Sequence, residues 1–245
     1  KLSYDFKYID LISCETEESF KLFKENGYYG KNIKEKIICI PNGFDEEYLI
    51  NESIQLKSFN EKENIMITVG RLGTFQKNTE LLLKVIRNID LKNWKVLLIG
   101  PYTEEFKKKY NDFIKENPNN KDKVLLIGNI KERRKLYSYY NNAKIFILTS
   151  RWEGFAIVYP EALRFGNHII TTDVEGANDI TNNGNIGSII GKEEEKKLKS
   201  EIVKIIEGEI ELEKKYKEAL ELSNKKFLWS NIVKNKKLQE LFGKS

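Results

Sequence analysis

Short apolar, β-branched runs alternate along this chain with segments of helical spacing, and that alternation leaves few architectures open. The runs are Ile37–Ile40, Ile65–Val69, Val96–Ile99, Val124–Ile127, Ile145–Leu148, His168–Thr171 and Ser188–Ile190. Most of them lead into glycine, serine or aspartate, residues that end strands and start turns. Between them, Leu82, Val85, Ile86 and Ile89 recur at helical spacing. So do Phe106, Tyr110, Phe113 and Ile114, and then Leu136, Tyr139 and Tyr140. A repeated strand–helix–strand pattern requires right-handed crossovers, which predicts an α/β fold with a parallel sheet and helices on both faces. The string KVLLIG occurs twice, at Lys95–Gly100 and Lys123–Gly128. Nothing around the two copies matches, so they read as two strands of similar burial rather than as a repeat architecture.

The ends differ from the middle. Residues 1–36 contain one predicted helix ending near Gly27 and read as the tail of a preceding domain with its linker. Residues 37–208 read as the sheet domain. Residues 209–245 read as terminal helices, after a charge run at Lys192–Lys199 that forms a solvated helix face. The chain starts at Lys1 and has Met66 as its only methionine, so it reads as a piece of a longer protein.

Composition excludes several classes. The 245 residues carry 42 basic and 37 acidic side chains in interspersed order, which describes a solvated surface and not a nucleic-acid footprint. Cys14 and Cys39 lack metal-type spacing and read as reduced thiols of a cytoplasmic protein. One histidine, His168, cannot build a His-rich metal site. No apolar run approaches the about 18 residues that a bilayer-spanning helix needs. Lysine-rich helices leave peripheral membrane association of the parent protein open.

The candidate site centres on RWEGFAIVYPEALRFG, Arg151 to Gly166. Glu153 follows the run Ile145–Leu148 in a predicted strand-end loop. Pro160 suits the first turn of the next helix, where its missing N–H costs nothing. Glu161 stands eight positions after Glu153, just inside that helix. The crevice outside the carboxyl ends of parallel strands is where ligands bind in open α/β sheets. Gly154 permits close backbone approach, and the N–H groups of Phe155, Ala156 and Ile157 can point at phosphate or sugar oxygens. After the run Ile65–Val69, Arg71 and Lys77 stand in a glycine-containing loop. A guanidinium fork and an ammonium point charge at a strand end suit a diphosphate. Two carboxylates beside an anion site suit a ligand with phosphates and vicinal hydroxyls, a nucleotide sugar. Asn42-Gly43 reads only as a turn, and Asp173 and Glu175 as ordinary strand-end acids.

In order, IPNGFD, TVGRLG with its lysine, VLLIG, VLLIGNI, FILTSRWEGFAIVYPEALRFG and GNIGSIIG cover about Ile37 to Ile190. This set resembles the C-terminal, donor-binding half of a GT-B glycosyltransferase, of glycosyltransferase family 4, the group 1 glycosyl transferases. Glu153 and Glu161 match that family's E-x7-E motif. The resemblance implies a Rossmann-like sheet forming one half of a GT-B fold. It implies sugar transfer with retention of configuration, from a nucleotide diphosphate sugar to a glycan or lipid-linked acceptor, with no metal and no cofactor. Arg71 and Lys77 would neutralise the donor diphosphate. Glu153 would hold hydroxyls of the transferred sugar and Glu161 the ribose diol, while Gly128, Asn129 and Ile130 would border the base. An acceptor-binding N-terminal domain is expected outside this chain, so the isolated chain is expected to be inactive in transfer. The helices of residues 209–245 resemble the segment that crosses back toward that domain, so Phe227, Leu228 and Trp229 are expected to expose apolar surface here. The sequence departs from the family pattern at Ala156, often Gly or Pro there, at Asn167 and His168, where a small residue and Pro are usual, and at Asp179, where many members carry Glu. A non-catalytic nucleotide-sugar-binding module and a GT-B nucleotide-sugar epimerase remain alternative readings.

Overall fold

The computed structural model describes residues 6–243. The strands are β1 (Ile12–Cys14), β2 (Ile37–Cys39), β3 (Glu63–Val69), β4 (Lys95–Ile99), β5 (Val124–Gly128), β6 (Ala143–Leu148), β7 (His168–Thr172) and β8 (Ser188–Ile190). The helices before β6 are α1 (Glu17–Asn26), α2 (Glu46–Asn51), α3 (Thr79–Ile86), α4 (Glu104–Glu116) and α5 (Arg133–Asn142). After β6 come α6 (Val158–Arg164), α7 (Ala177–Thr181), α8 (Glu195–Ile206), α9 (Leu212–Lys226), α10 (Trp229–Ile232) and α11 (Lys236–Phe242). Local chemistry accounts for several boundaries. Thr103 accepts from the Phe106 N–H at 3.1 Å and caps α4, whose first turn is acidic and whose last turn carries Lys115. Thr16 caps α1 in the same way, and Gly27 ends it at φ 69°.

Six strands form one parallel sheet in the order β5-β4-β3-β6-β7-β8. Side chains alternate faces along each strand. Ile65, Ile67, Val69, Leu97, Ile99, Phe146 and Leu148 join one core with Tyr137, Tyr140 and Tyr159 from α5 and α6. Met66, Val96, Leu98, Ile145 and Ile147 join a second core with α3, α4 and α8. Helices therefore cover both faces, as the alternation predicts. Within α5 the residues that pack deepest are Tyr137 and Tyr140, while Leu136 and Tyr139 are only half-buried. The order reverses between β3 and β6, which lie side by side with Ile67 opposite Phe146.

Three expectations are corrected. First, β2 does not join this sheet. It pairs in parallel with β1, Ile12 opposite Ile37 and Cys14 opposite Cys39, so the six-stranded sheet begins at Glu63. Second, the two KVLLIG strings are direct neighbours, with Val96, Leu97 and Leu98 opposite Val124, Leu125 and Leu126. Their burial is unequal: β4 is interior and buried after Lys95, whereas β5 is the sheet edge and Leu125, Leu126 and Ile127 are half-buried. Third, Phe227 and Leu228 are 2% and 9% exposed, and only Trp229, at 39%, shows substantial surface. The reason is backbone pairing. The Phe44 N–H donates to the Phe227 carbonyl at 2.7 Å, and the Trp229 N–H to the Phe44 carbonyl at 3.0 Å. That clasp carries the tail onto the IPNGFD segment and sets Phe227 against Phe155, ring centroids 5.8 Å apart.

Candidate functional site

Two loops meet where the strand order reverses. One leaves β3 and carries Arg71 and Lys77; the other leaves β6 and carries Glu153. Lys77 Nζ lies 2.6 Å from Glu153 Oε1, and the two side chains are only 14% and 7% exposed. Ser150 Oγ donates to the same Glu153 oxygen. Thr149 Oγ1 donates to the carbonyls of Lys77 and Asn78 at 3.2 and 3.0 Å, which ties the end of β6 to the start of α3. The stem of Lys77 runs over Gly70, where a β-carbon would sit 3.5 Å from its Cε. Gly100 explains how tightly the neighbouring turn closes. It holds φ +132°, and a β-carbon there would stand 1.9 Å from the Gly70 carbonyl oxygen.

Arg71 is exposed, and its Nη2 donates to Gln76 Oε1 at 2.7 Å. Gln76 Nε2 donates in turn to the Trp152 carbonyl at 3.1 Å, and the Arg151 N–H to the Gln76 carbonyl at 2.8 Å. Gln76 thus staples the two loops together. Nothing in the spacing of GRLGTFQKNTE distinguishes it from an ordinary loop polar residue.

Glu161 occupies a different environment. It sits in the first turn of α6, and Tyr140 donates its hydroxyl to Glu161 Oε2 at 2.9 Å. Burial raises its carboxyl above the ordinary glutamate range, while the Tyr140 hydrogen bond and the Arg133 charge pull the other way. Arg133 is itself set by three neighbours. Its Nε donates to the Tyr137 hydroxyl at 2.7 Å, its guanidinium lies 4.5 Å from the Tyr48 ring centre, and Nη1 stands 3.6 Å from Asp45. Sequence reading missed Arg133 and Tyr140, since on a helical pattern they read as surface charge and core.

The residues between the acids divide. Gly154 and Ile157 are exposed, whereas the side chains of Phe155 and Ala156 are buried. Phe155 packs edge-on to Tyr159, and its carbonyl accepts from Asn42 Nδ2 at 2.9 Å. Asn42 therefore does more than mark a turn: it locks the Gly154–Ile157 loop to the segment before α2. On the far side, Gly128 holds φ 81° and its carbonyl accepts from the Gly100 N–H at 2.8 Å, with Asn129 exposed and Ile130 half-buried beside it. Tyr102 stands against Gly128, 3.4 Å from where a β-carbon would be.

Other candidates have structural partners. Glu175 accepts from Thr16 Oγ1 at 3.0 Å and from Ser19 Oγ, and Asp179 accepts from the Glu17 N–H at 3.2 Å; both acids fasten the start of α1. His168 is buried at the start of β7. Cys14 and Cys39 are free thiols. Among the described residues, no group of three or more His, Cys, Asp or Glu side chains is placed to hold a metal ion, and no helix is long and apolar enough to cross a membrane.

Comparison with known proteins identifies the family. The model of one family, described as glycosyl transferases group 1, matches residues 50–222. The chain belongs to the group 1 glycosyl transferases. An uncharacterized glycosyltransferase of Methanocaldococcus jannaschii is 30% identical over 230 residues, covering 94% of this chain and 60% of the relative. A capsular polysaccharide biosynthesis glycosyltransferase of Staphylococcus aureus is 31% identical over 172 residues, covering 68% of this chain and 43% of the relative. The chain thus spans about half the length of these curated relatives. Among solved structures, Anabaena HepE in complex with UDP superposes with a TM-score of 0.73 at 17% identity, over 96% of this chain and 64% of that one. The sucrose-phosphate synthase of Thermosynechococcus elongatus gives 0.73 at 19% identity, over 96% and 59%. At these identities the likeness is one of fold, and it places this group 1 chain in the Rossmann-like architecture of the GT-B enzymes.

Proposed function

We propose that this chain is the donor-binding part of a family 4 glycosyltransferase that moves a sugar from a nucleotide diphosphate sugar to a glycan or lipid-linked acceptor. The observation that carries the proposal is the Lys77–Glu153 pair, held across the reversal of strand order and within reach of Arg71 through Gln76. Such a pair supplies both things a sugar nucleotide needs in one place. Lys77, with Arg71, neutralises the diphosphate and stabilises it as the leaving group. Glu153, once the ammonium turns to phosphate, accepts hydrogen bonds from the sugar hydroxyls. Glu161, beside Tyr140, accepts from the ribose diol. Backbone groups around Gly154–Ile157 and Gly128–Ile130 line the sugar and base ends.

The UDP complex of the Anabaena neighbour and the polysaccharide-forming relative support the ligand class and the acceptor class. The family resemblance supports a retaining reaction without a metal. In this reading the parent protein supplies an acceptor-binding domain, the chain alone transfers little or no sugar, and any hold on a membrane belongs to the parent. Robust transfer by the chain alone would contradict that division.

Calorimetric titration with UDP, GDP and ADP, with and without magnesium, tests the assignment. One diphosphate should bind at micromolar concentration regardless of magnesium. Arg71→Ala and Glu161→Ala each remove a charge-assisted hydrogen bond, about 1.5–3 kcal/mol, and should weaken that binding roughly 10- to 150-fold. Unchanged affinity in both variants would overturn the proposal.

A further inference from the structure

Phe75 and Trp152 stand on the same two loops, after β3 and β6, and are 71% and 50% exposed. Their ring centroids are 5.8 Å apart and their planes meet at 51°, a shallow V. The Phe75 ring and the Trp152 backbone are both braced. The Arg151 guanidinium backs Phe75 at 4.1 Å from its ring centre, and its Nη1 donates to the Phe75 carbonyl at 2.6 Å. Arg151 is in turn fixed by Glu193, 2.6 Å from its Nε, which also accepts from Asn78 Nδ2 at 3.2 Å. Trp152 is held through its carbonyl by Gln76. Core packing does not explain two adjoining aromatic side chains turned to solvent.

We propose that the Phe75–Trp152 pair is a saccharide subsite that stacks the apolar face of a neutral pyranose, the acceptor sugar, at the mouth of the donor crevice. An aromatic face is electron-rich, and the axial C–H bonds of a pyranose present a weakly positive apolar patch to it. Polar groups occur on the same two loops: Arg71 donates to Gln76, and Gln76 donates to the Trp152 carbonyl. Size favours a sugar over a protein partner: two part-exposed rings offer at most roughly 300 Å², against about 800 Å² per partner in a specific protein interface. Position fits the acceptor: Glu153 and Lys77 are assigned to the donor, and the rings flank them, Trp152 immediately before Glu153 and Phe75 two residues before Lys77. Naming the sugar as the acceptor rests on the proposed transferase reading; the stacking itself does not.

Saturation-transfer NMR of the chain with methyl glucopyranoside, galactopyranoside, mannopyranoside and N-acetylglucosaminide, each without and with saturating UDP, tests this. At least one glycoside should receive saturation from the protein. That signal should fall at least fivefold in Phe75→Ala and Trp152→Ala and be largely kept in Trp152→Tyr, while calorimetric UDP affinity changes less than about threefold. Ring-dependent saturation without UDP binding would leave the subsite standing and remove the transferase reading. UDP binding with no saturation of any glycoside, signals unchanged in both alanine variants, or UDP affinity falling in step with the saccharide signal would overturn the subsite.

Discussion

Replacing Lys77 by Met should lower the unfolding free energy by about 3 kcal/mol and abolish diphosphate binding together. Breaking a buried ion pair leaves an uncompensated charge, which costs about 3–5 kcal/mol in a sealed site. The lower end applies here, because the pair keeps some solvent exposure and Ser150 Oγ still donates to Glu153. For a chain of this size that corresponds to a fall in melting temperature of roughly 6–12 °C. Removing both charges in Lys77→Met/Glu153→Leu should restore at least half of the lost stability, since no buried carboxylate then lacks a partner. Diphosphate binding should not return. Thermal unfolding and UDP titration of the single and double variants check both halves. A double variant no more stable than Lys77→Met would show that the pair does not hold the two loops as described, and retained UDP affinity in either would remove Lys77 from the diphosphate site.

His168→Leu should make the protein less sensitive to acid. The imidazole is buried at the start of β7, and neither ring nitrogen makes a well-formed hydrogen bond, the Ile186 backbone offering only a marginal one. Burial, with Lys215 adding a like charge, pushes its pKa down from 6.5 to about 4, against a smaller opposite effect of Glu201. Between those values the unfolded chain binds a proton that the folded chain refuses. Stability is therefore intact above about pH 6.5, falls as pH drops through the window, and has lost this contribution, about 3 kcal/mol, below about pH 4. Glu161 and Asp179, whose carboxyls burial raises, work in the opposite direction, so the difference between wild type and variant is the quantity to read. Denaturant unfolding at pH 7, 5.5 and 4.5 should show the wild type losing progressively more than His168→Leu. Parallel curves would mean that the imidazole titrates normally in the fold.

The parts of this fold that local chemistry controls were readable in advance. Apolar β-branched runs locate the strands of the main sheet, and helical spacing locates α3 to α5. Gly27 marked the end of α1, and Pro160 with Glu161 marked the first turn of α6. Side-chain alternation then required two cores, one on each face of the sheet. The candidate residues Arg71, Lys77, Glu153 and Glu161 were found because each sits where a strand ends or a helix begins, and these positions are punctuated in sequence.

What a residue touches across the molecule follows other rules. Lys77 and Glu153 are separated by 76 positions, and they pair because β3 and β6 are neighbours in a sheet whose order reverses there. Two identical strings, KVLLIG, take an interior and an edge strand, since the same side chains meet different neighbours once strand order is fixed. Asn42 reads as a turn residue until the fold brings the Phe155 carbonyl to it, and Phe227 reads as exposed until Phe44 pairs with its backbone. Local propensity reports a free energy per residue along the chain and carries no record of which distant backbone edge will satisfy a given strand or tail. That choice belongs to the packing of all the strands and helices at once, and it is what brings a cation, a carboxylate and two exposed aromatic rings onto neighbouring loops.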